Sequence, residues 1–223
     1  MTRNPALVLA SNSPRRKELL TLGGWLFRVV PADIDESVRN DECPATHVKR
    51  LAEEKAGTCE KSARSGEVIV AADTIVTLEG KILGKPPDRE GAVDMLRLLR
   101  GRIHQVFTGF SVQEQGSPQA ATGLCITSVP MRLYTDEEID AYVDTGDPLD
   151  KAGAYAIQHA GFHPVESFTG CQASVMGLPL CHLARTLRSM GILPGSDIAT
   201  ACQAALHYEC PIHARVLAGA DLG

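Results

Sequence analysis

Val68-Ile69-Val70-Ala71-Ala72 is a continuous apolar run rich in β-branched residues, and it continues through Asp73-Thr74 into Ile75-Val76-Thr77-Leu78. Such a run reads as a strand buried on both faces, so the chain must build a sheet with a central strand covered on either side. Asp73 breaks the pattern. An isolated carboxylate is expensive to ionise in apolar surroundings. It must therefore pair with a cation, hold a metal, sit where the strand opens into a cleft, or bond to backbone.

Around this strand the sequence alternates strand and helix signals. Leu7-Val8-Leu9-Ala10 and Phe27-Arg28-Val29-Val30 read as short strands. Between them Ser13 caps a helix with Pro14 at its first position, apolar Leu19, Leu20 and Leu22, and Gly23-Gly24 as a stop. A second helix follows Pro44, with Val48, Leu51 and Ala52 on one face. Asp88 caps a third, carrying Ala92, Met95, Leu96 and Leu99 and ending at Gly101. Strands are expected over His104–Val112 and Ala121–Val129, then a capping box at Thr135-Asp136-Glu137-Glu138 before Ile139 and Tyr142. Thr145 to Gln158 mixes turn residues, carboxylates and a lysine before an expected short strand, and reads as either connector or site. Gly177-Leu178-Pro179 starts a helix with Leu180, Leu183, Ala184 and Leu187, and the chain beyond Leu193-Pro194-Gly195 looks like an appendage.

Several charged side chains stand against local rules. Arg15 and Arg16 occupy the first turn of a helix, where the macrodipole and unpaired N–H groups already disfavour cations. A bound phosphate reverses the sign of that penalty. Lys55 continues the apolar face of the second helix, either snorkelling to water or aimed into a charged cleft. Lys85 is presented by the rigid Gly84-Lys85-Pro86-Pro87 loop. That loop is not a P-loop, because Gly80 lies one residue too close and Pro86 replaces the Ser or Thr. Asp35 and Glu36 fall together in a polar loop. Four cations with carboxylates suggest a polyphosphate and a divalent ion such as Mg²⁺ or Mn²⁺: cations neutralise phosphate oxygens, while carboxylates hold the metal and activate water.

Other chemistries are disfavoured. There is no G-x-S-x-G elbow, no G-x-G-x-x-G turn and no H-E-x-x-H zinc motif. The seven cysteines form no C-x-x-C pair and read as reduced, packed thiols, while His159 and His163 do not share a clear helical face. The 223 residues are 44% hydrophobic, enough for a sizeable core in one two-lobed domain or two small ones. A net charge of −5 offers no basic field for a polynucleotide. The opening Met1-Thr2-Arg3-Asn4-Pro5-Ala6 runs straight into a strand too short for a signal or membrane segment, so a cytoplasmic protein without a membrane partner is expected.

Taken in order, Ala10-Ser11-Asn12-Ser13-Pro14-Arg15-Arg16, the Asp35-Glu36 loop, Leu51-Ala52-Glu53-Glu54-Lys55-Ala56, Ala72-Asp73-Thr74, Leu83-Gly84-Lys85-Pro86 and Asp150-Lys151-Ala152-Gly153-Ala154-Tyr155-Ala156-Ile157-Gln158 resemble the Maf proteins. These are nucleoside triphosphate pyrophosphatases related in fold to the inosine triphosphate pyrophosphatases. The resemblance runs from Leu7 to about Leu193 and implies an α/β fold: a twisted mixed sheet flanked by helices, two lobes around a central cleft, often a homodimer. It makes residues 1–194 the nucleotide-hydrolysing domain and leaves 195–223 as an extension of unknown role. It further implies that Asp73 is the proton acceptor, that Glu36 and Asp73 hold the divalent metal, and that Ser11, Arg16, Lys55 and Lys85 grip the triphosphate. The branch acting on dTTP and UTP is similar at Arg15, Thr74 and Gln158. The 7-methyl-GTP branch typically carries an aromatic after the Ser-Pro and a Glu near position 158. A glutamine amide offers both donor and acceptor to the imide edge of thymine or uracil. This chain departs from the family at Ser174, where an Asn is usual. The competing expectation is a non-catalytic nucleotide-binding regulator of cell division and septum formation, against which the retained carboxylates argue.

Overall fold

The computed structural model describes residues 4–223, so Met1-Thr2-Arg3, on which the reading of the N-terminus partly rests, lie outside the described residues. Strand β1 (Leu7–Leu9) leads to helix α1 (Pro14–Thr21), β2 (Phe27–Val29), α2 (Pro44–Glu60), β3 (Val68–Leu78), β4 (Lys81–Leu83), α3 (Arg89–Leu99), β5 (Ile103–Glu114), β6 (Ala120–Pro130) and α4 (Asp136–Val143). Two 3₁₀ turns at Asp147–Asp150 and Ala152–Ala154 precede α5 (Gln172–Val175), α6 (Leu180–Ser189), α7 (Ile198–Leu206) and α8 (His213–Leu217).

The six strands form one mixed sheet in the order β2-β1-β3-β5-β6, with β4 paired to the end of β3. β1 runs parallel to both β2 and β3, whereas β5 runs antiparallel between β3 and β6. The interrupted apolar run is therefore the central strand. Its first half is sandwiched. Val68, Val70 and Ala72 pack with Leu19, Leu20, Leu178, Leu183 and Leu187 on one face, while Ile69 and Ala71 pack with Ala56 and Cys59 of α2 on the other. Its far end enters a separate core, where Val76 and Leu78 meet Leu96, Leu99, Ile139 and Tyr142. Asp73-Thr74 sits at the crossing between the two cores. The polar dipeptide interrupts the strand at the place where neither core needs it.

Local chemistry explains the helix starts. Ser13 accepts from the Arg16 N–H at 3.4 Å and Asp88 accepts from the Gly91 N–H at 2.8 Å. Thr135 and Glu138 bond reciprocally to each other's backbone in a capping box. Glu79 and Gly80 both take positive φ (51° and 80°), a two-residue turn whose twist matches a hairpin.

The strand expected after Thr145–Gln158 does not form. Past Gln158 the backbone turns on itself, the His159 N–H bonding the Ala156 carbonyl at 3.1 Å and the His163 N–H the His159 carbonyl at 3.0 Å, and Val165 makes only an isolated bridge to Met131. The C-terminal segment packs onto the body: Ile198 and Val216 join the first core, and Arg185 donates to the carbonyls of Val216 and Ala220 at 3.2 and 3.0 Å. All seven cysteines are free thiols. Among the described residues no helix is long and apolar enough to cross a membrane.

Candidate active site

Side chains alternate along a strand, so Asp73 shares the face of Ile69 and Ala71 and Thr74 shares that of Val70 and Ala72. That alternation aims the carboxylate at α2 and the hydroxyl at α1. Lys55 meets Asp73 from α2, one turn beyond Leu51. Its Nζ lies 2.7 Å from Asp73 Oδ1 and 2.6 Å from Glu36 Oε1, and both Lys55 and Asp73 are only 6% exposed. Of the two alternatives for Lys55, the structure selects the charged cleft.

Arg16 is fastened from the opposite face. Its Nε donates to the Gly177 carbonyl (2.9 Å), Nη1 to Ser11 Oγ (3.3 Å) and Nη2 to Thr74 Oγ1 (3.2 Å). Gly177 has φ +112°, a conformation that L side chains rarely adopt, and a Cβ there would also press on Arg16 Nε at 3.2 Å. Enclosure draws the guanidinium below its ordinary pKa, opposed by the charges of Asp73 and Glu36.

The loop carrying Glu36 is anchored by a network that sequence reasoning missed. Arg50 bonds Glu42 through Nε (2.6 Å) and Nη2 (2.7 Å), His47 adds a 2.9 Å contact to Glu42, and Arg50 Nη2 reaches the Ser37 carbonyl at 3.0 Å. The Arg50 bonds hold the Glu42 carboxyl far below the usual carboxylate range. Asp35 instead accepts the Ser37 N–H at 2.9 Å, shaping the turn, and that bond lowers its pKa. Asp35 is not among the cleft residues; Glu36 is.

The cleft has a volume of about 430 Å³, within the range of small-molecule sites. Ser11, Arg15, Arg16, Glu36, Lys55, Asp73, Thr74, Lys85 and Gln158 all line it. Lys85 and Gln158 are exposed at its rim, and the Gly84 carbonyl accepts the Gly153 N–H at 3.1 Å, docking the lysine loop onto the segment that ends at Gln158. That segment, open at the sequence level between connector and site, also supplies Asp150, Lys151 and Tyr155 to the wall. Lys151 is 8% exposed, with Nζ 2.9 Å from Asp147 Oδ1 and 2.7 Å from Asp150 Oδ1. The D-K sequence was its only signal, because its partners are local while its place in the wall is not.

A cleft with cations on several sides and a buried carboxylate at its centre has the charge arrangement of a site for a polyanion. The chain belongs to the Maf family: the profile described as Maf-like protein matches residues 6–190. It is 47% identical over 191 residues to a dTTP/UTP pyrophosphatase of Geobacter sp. (strain M21), covering 86% of this chain and 98% of that relative. A dTTP/UTP pyrophosphatase of Anaeromyxobacter dehalogenans (strain 2CP-C) is 48% identical over 189 residues, covering 84% and 95%. Among solved structures, a nucleoside-triphosphatase / dITP/XTP pyrophosphatase from Mycobacterium abscessus aligns at a TM-score of 0.41 and 13% identity, over 83% of this chain and 94% of that one.

Proposed function

We propose that this chain is a nucleoside triphosphate pyrophosphatase that hydrolyses dTTP and UTP to the monophosphate and pyrophosphate. The observation that carries this reading is the Lys55 ammonium held between Glu36 and Asp73 in a cleft whose other wall presents Arg16. Water attacks the α-phosphorus, the bond from that phosphorus to the bridging oxygen breaks, and pyrophosphate leaves. Asp73 receives the proton of the attacking water. Its Oδ1 is engaged by Lys55, and Oδ2 makes no hydrogen bond to protein among the described residues, leaving a lone pair for that water. Ser11, Arg16, Lys55 and Lys85 bind and orient the phosphates, and Ser11 also accepts from Arg16 Nη1.

The donor set fits a divalent cation. Two carboxylates, Glu36 and Asp73, converge on one ammonium in the cleft, and Mg²⁺ is typically held by one or two carboxylates with substrate phosphates completing its shell. When bound there, Mg²⁺ or Mn²⁺ supplies charge neutralisation and a more acidic water. Gln158, Thr74 and Arg15 are assigned to base recognition, supported by the dTTP/UTP activity of the relatives and by their position on the cleft. The division into a catalytic unit over 1–194 and an extension over 195–223 is part of the proposal, supported by the family match ending at residue 190.

The test is pyrophosphate release from dTTP, UTP, CTP, GTP and 7-methyl-GTP with Mg²⁺ or Mn²⁺. Asp73→Asn should lower turnover by about 10²–10⁴-fold, as expected for loss of a general base, while nucleotide binding persists. Wild-type turnover in the mutant overturns the role of Asp73. A preference for 7-methyl-GTP overturns the assignment of Arg15 and Gln158, and binding without turnover in the wild type replaces hydrolysis by regulation.

A further inference from the structure

Behind Thr74 lies a hydroxyl that faces no ligand. Thr108, on β5, is fully buried. Its Oγ1 donates to the Ser174 carbonyl at 2.8 Å and stands 3.0 Å from Thr74 Oγ1. A hydroxyl owns a single hydrogen. Because that of Thr108 goes to Ser174, the contact between the two threonines has one possible direction: Thr74 donates and Thr108 accepts. Thr74 then meets Arg16 Nη2 with a lone pair, as the 3.2 Å contact from a guanidinium requires. The direction of every bond from Arg16 to the Ser174 carbonyl is thus set from the buried end.

We infer that Thr108 is a positioning residue for substrate binding: it fixes the hydrogen-bond direction of an Arg16 → Thr74 → Thr108 → Ser174 carbonyl relay and thereby holds Arg16 in its triphosphate-gripping pose. This rests on the proposed pyrophosphatase reading and extends it to a residue outside the cleft lining. Arg16 has five N–H donors; three are engaged by Gly177, Ser11 and Thr74, leaving one on each terminal nitrogen. Such a pair suits bidentate capture of one phosphate group. Without the Thr108 acceptor, the Thr74 hydroxyl loses its inward partner and can turn its hydrogen towards the guanidinium, setting donor against donor. The acceptor at position 174 is the backbone carbonyl, so the relay does not depend on the side chain that stands there.

The experiment compares Thr108→Val, which keeps the shape and removes the hydroxyl, with Thr108→Ser, which restores it. In UTP hydrolysis, Thr108→Val should raise KM about tenfold with kcat within about twofold of wild type, and Thr108→Ser should return KM to within about twofold. Thr108→Ala serves in place of the valine variant should that one fail to fold. The matched control is Ser111→Ala on the same strand, which deletes a fully buried hydroxyl that has no partner among the described residues; its KM should match wild type. Calorimetric binding of inorganic tripolyphosphate is run in parallel, with the same tenfold weakening and serine rescue expected. Unchanged KM and tripolyphosphate affinity in Thr108→Val, or equal loss in the valine and serine variants, overturns the relay. A wild type that binds tripolyphosphate but hydrolyses none of the nucleotides overturns the pyrophosphatase reading instead, and the binding arm still decides the relay.

Discussion

The molecule buries polar groups in two places and treats them oppositely. At the crossing of the two cores, Lys55 and Asp73 are nearly sealed from solvent yet paired, and Arg16 is bonded to three separate acceptors. On the far side, beneath the C-terminal helices, His182 is buried and neither ring nitrogen makes a well-formed hydrogen bond among the described residues, only a loose approach to the Leu222 backbone. On the same helix and in the pocket it shares with α7, burial pushes the Cys181 thiol up to about 12 and that of Cys202 up to about 11. The first cluster keeps charge in place by mutual compensation. The second is kept neutral by desolvation and serves as packing. Burial of a titratable group therefore points to function only where partners hold it charged and a cleft reaches it.

The sharpest way to break this contrast is to truncate one member of each cluster and measure urea unfolding. Lys55→Met leaves Asp73 without its cation and should destabilise by about 3–5 kcal/mol, the usual penalty for an orphaned buried charge. His182→Leu should be neutral or stabilising, since it removes a polar group that burial leaves unsatisfied. Equal losses in both variants would erase the distinction.

A pH series sharpens it next. Burial holds His182 down to about 4 from 6.5, assisted by Arg185 and opposed by Asp221 and by the Leu222 backbone. Above pH 6.5 the imidazole is neutral in folded and unfolded chains alike and contributes no slope. As pH falls below 6.5 the unfolded chain takes up the proton first, so stability declines down to about pH 4, by up to about 3 kcal/mol. Buried His104, also held at about 4 by desolvation, adds a parallel decline. Glu67, lowered to about 2 by its bond to Arg28, contributes stability that is present above 4.5 and lost only as pH falls towards 2, so the 6.5 to 4.5 window belongs to the histidines. His182→Leu should flatten the melting-temperature profile in that window; an unchanged slope would remove His182 as a source.

The smallest effect concerns how α2 carries Lys55 to the strand. A Cβ on Gly109 would meet the Val48 backbone at 2.6 Å, so Gly109→Ala must push α2 off β5 and should lower stability by about 1–3 kcal/mol. A melting temperature equal to wild type would show that the helix shifts freely.

Much of the architecture was legible because it is written locally. The apolar run of β3, the caps at Ser13, Asp88 and Thr135, and the Gly177-Leu178-Pro179 start need only near neighbours, and each appears where the sequence puts it. Thr145–Gln158 was not legible as structure, because its backbone is satisfied by Tyr142 Oη and by Gly84, partners that only folding brings close. The extension lacked any motif, and its packing follows from partners distant in sequence: Ile198 and Val216 join the first core, and Arg185 donates to the carbonyls of Val216 and Ala220.

For the site, the sequence by itself identified which charges violate local rules: cations at a helix start, a lysine on an apolar face, a carboxylate in a buried strand. Those violations are visible because helix dipoles, periodicity and desolvation act within a few residues. Only the tertiary structure decided the pairings. Strand alternation turned Asp73 to Lys55 and Thr74 to Arg16, and a turn closed by Asp35 left Glu36 to face the cleft. A hydroxyl on β5, invisible in the sequence, set the direction of the bonds behind Arg16. Compensation between charges and hydrogen-bond direction depend on distances of about 3 Å between segments far apart in the chain, and folding alone creates those distances.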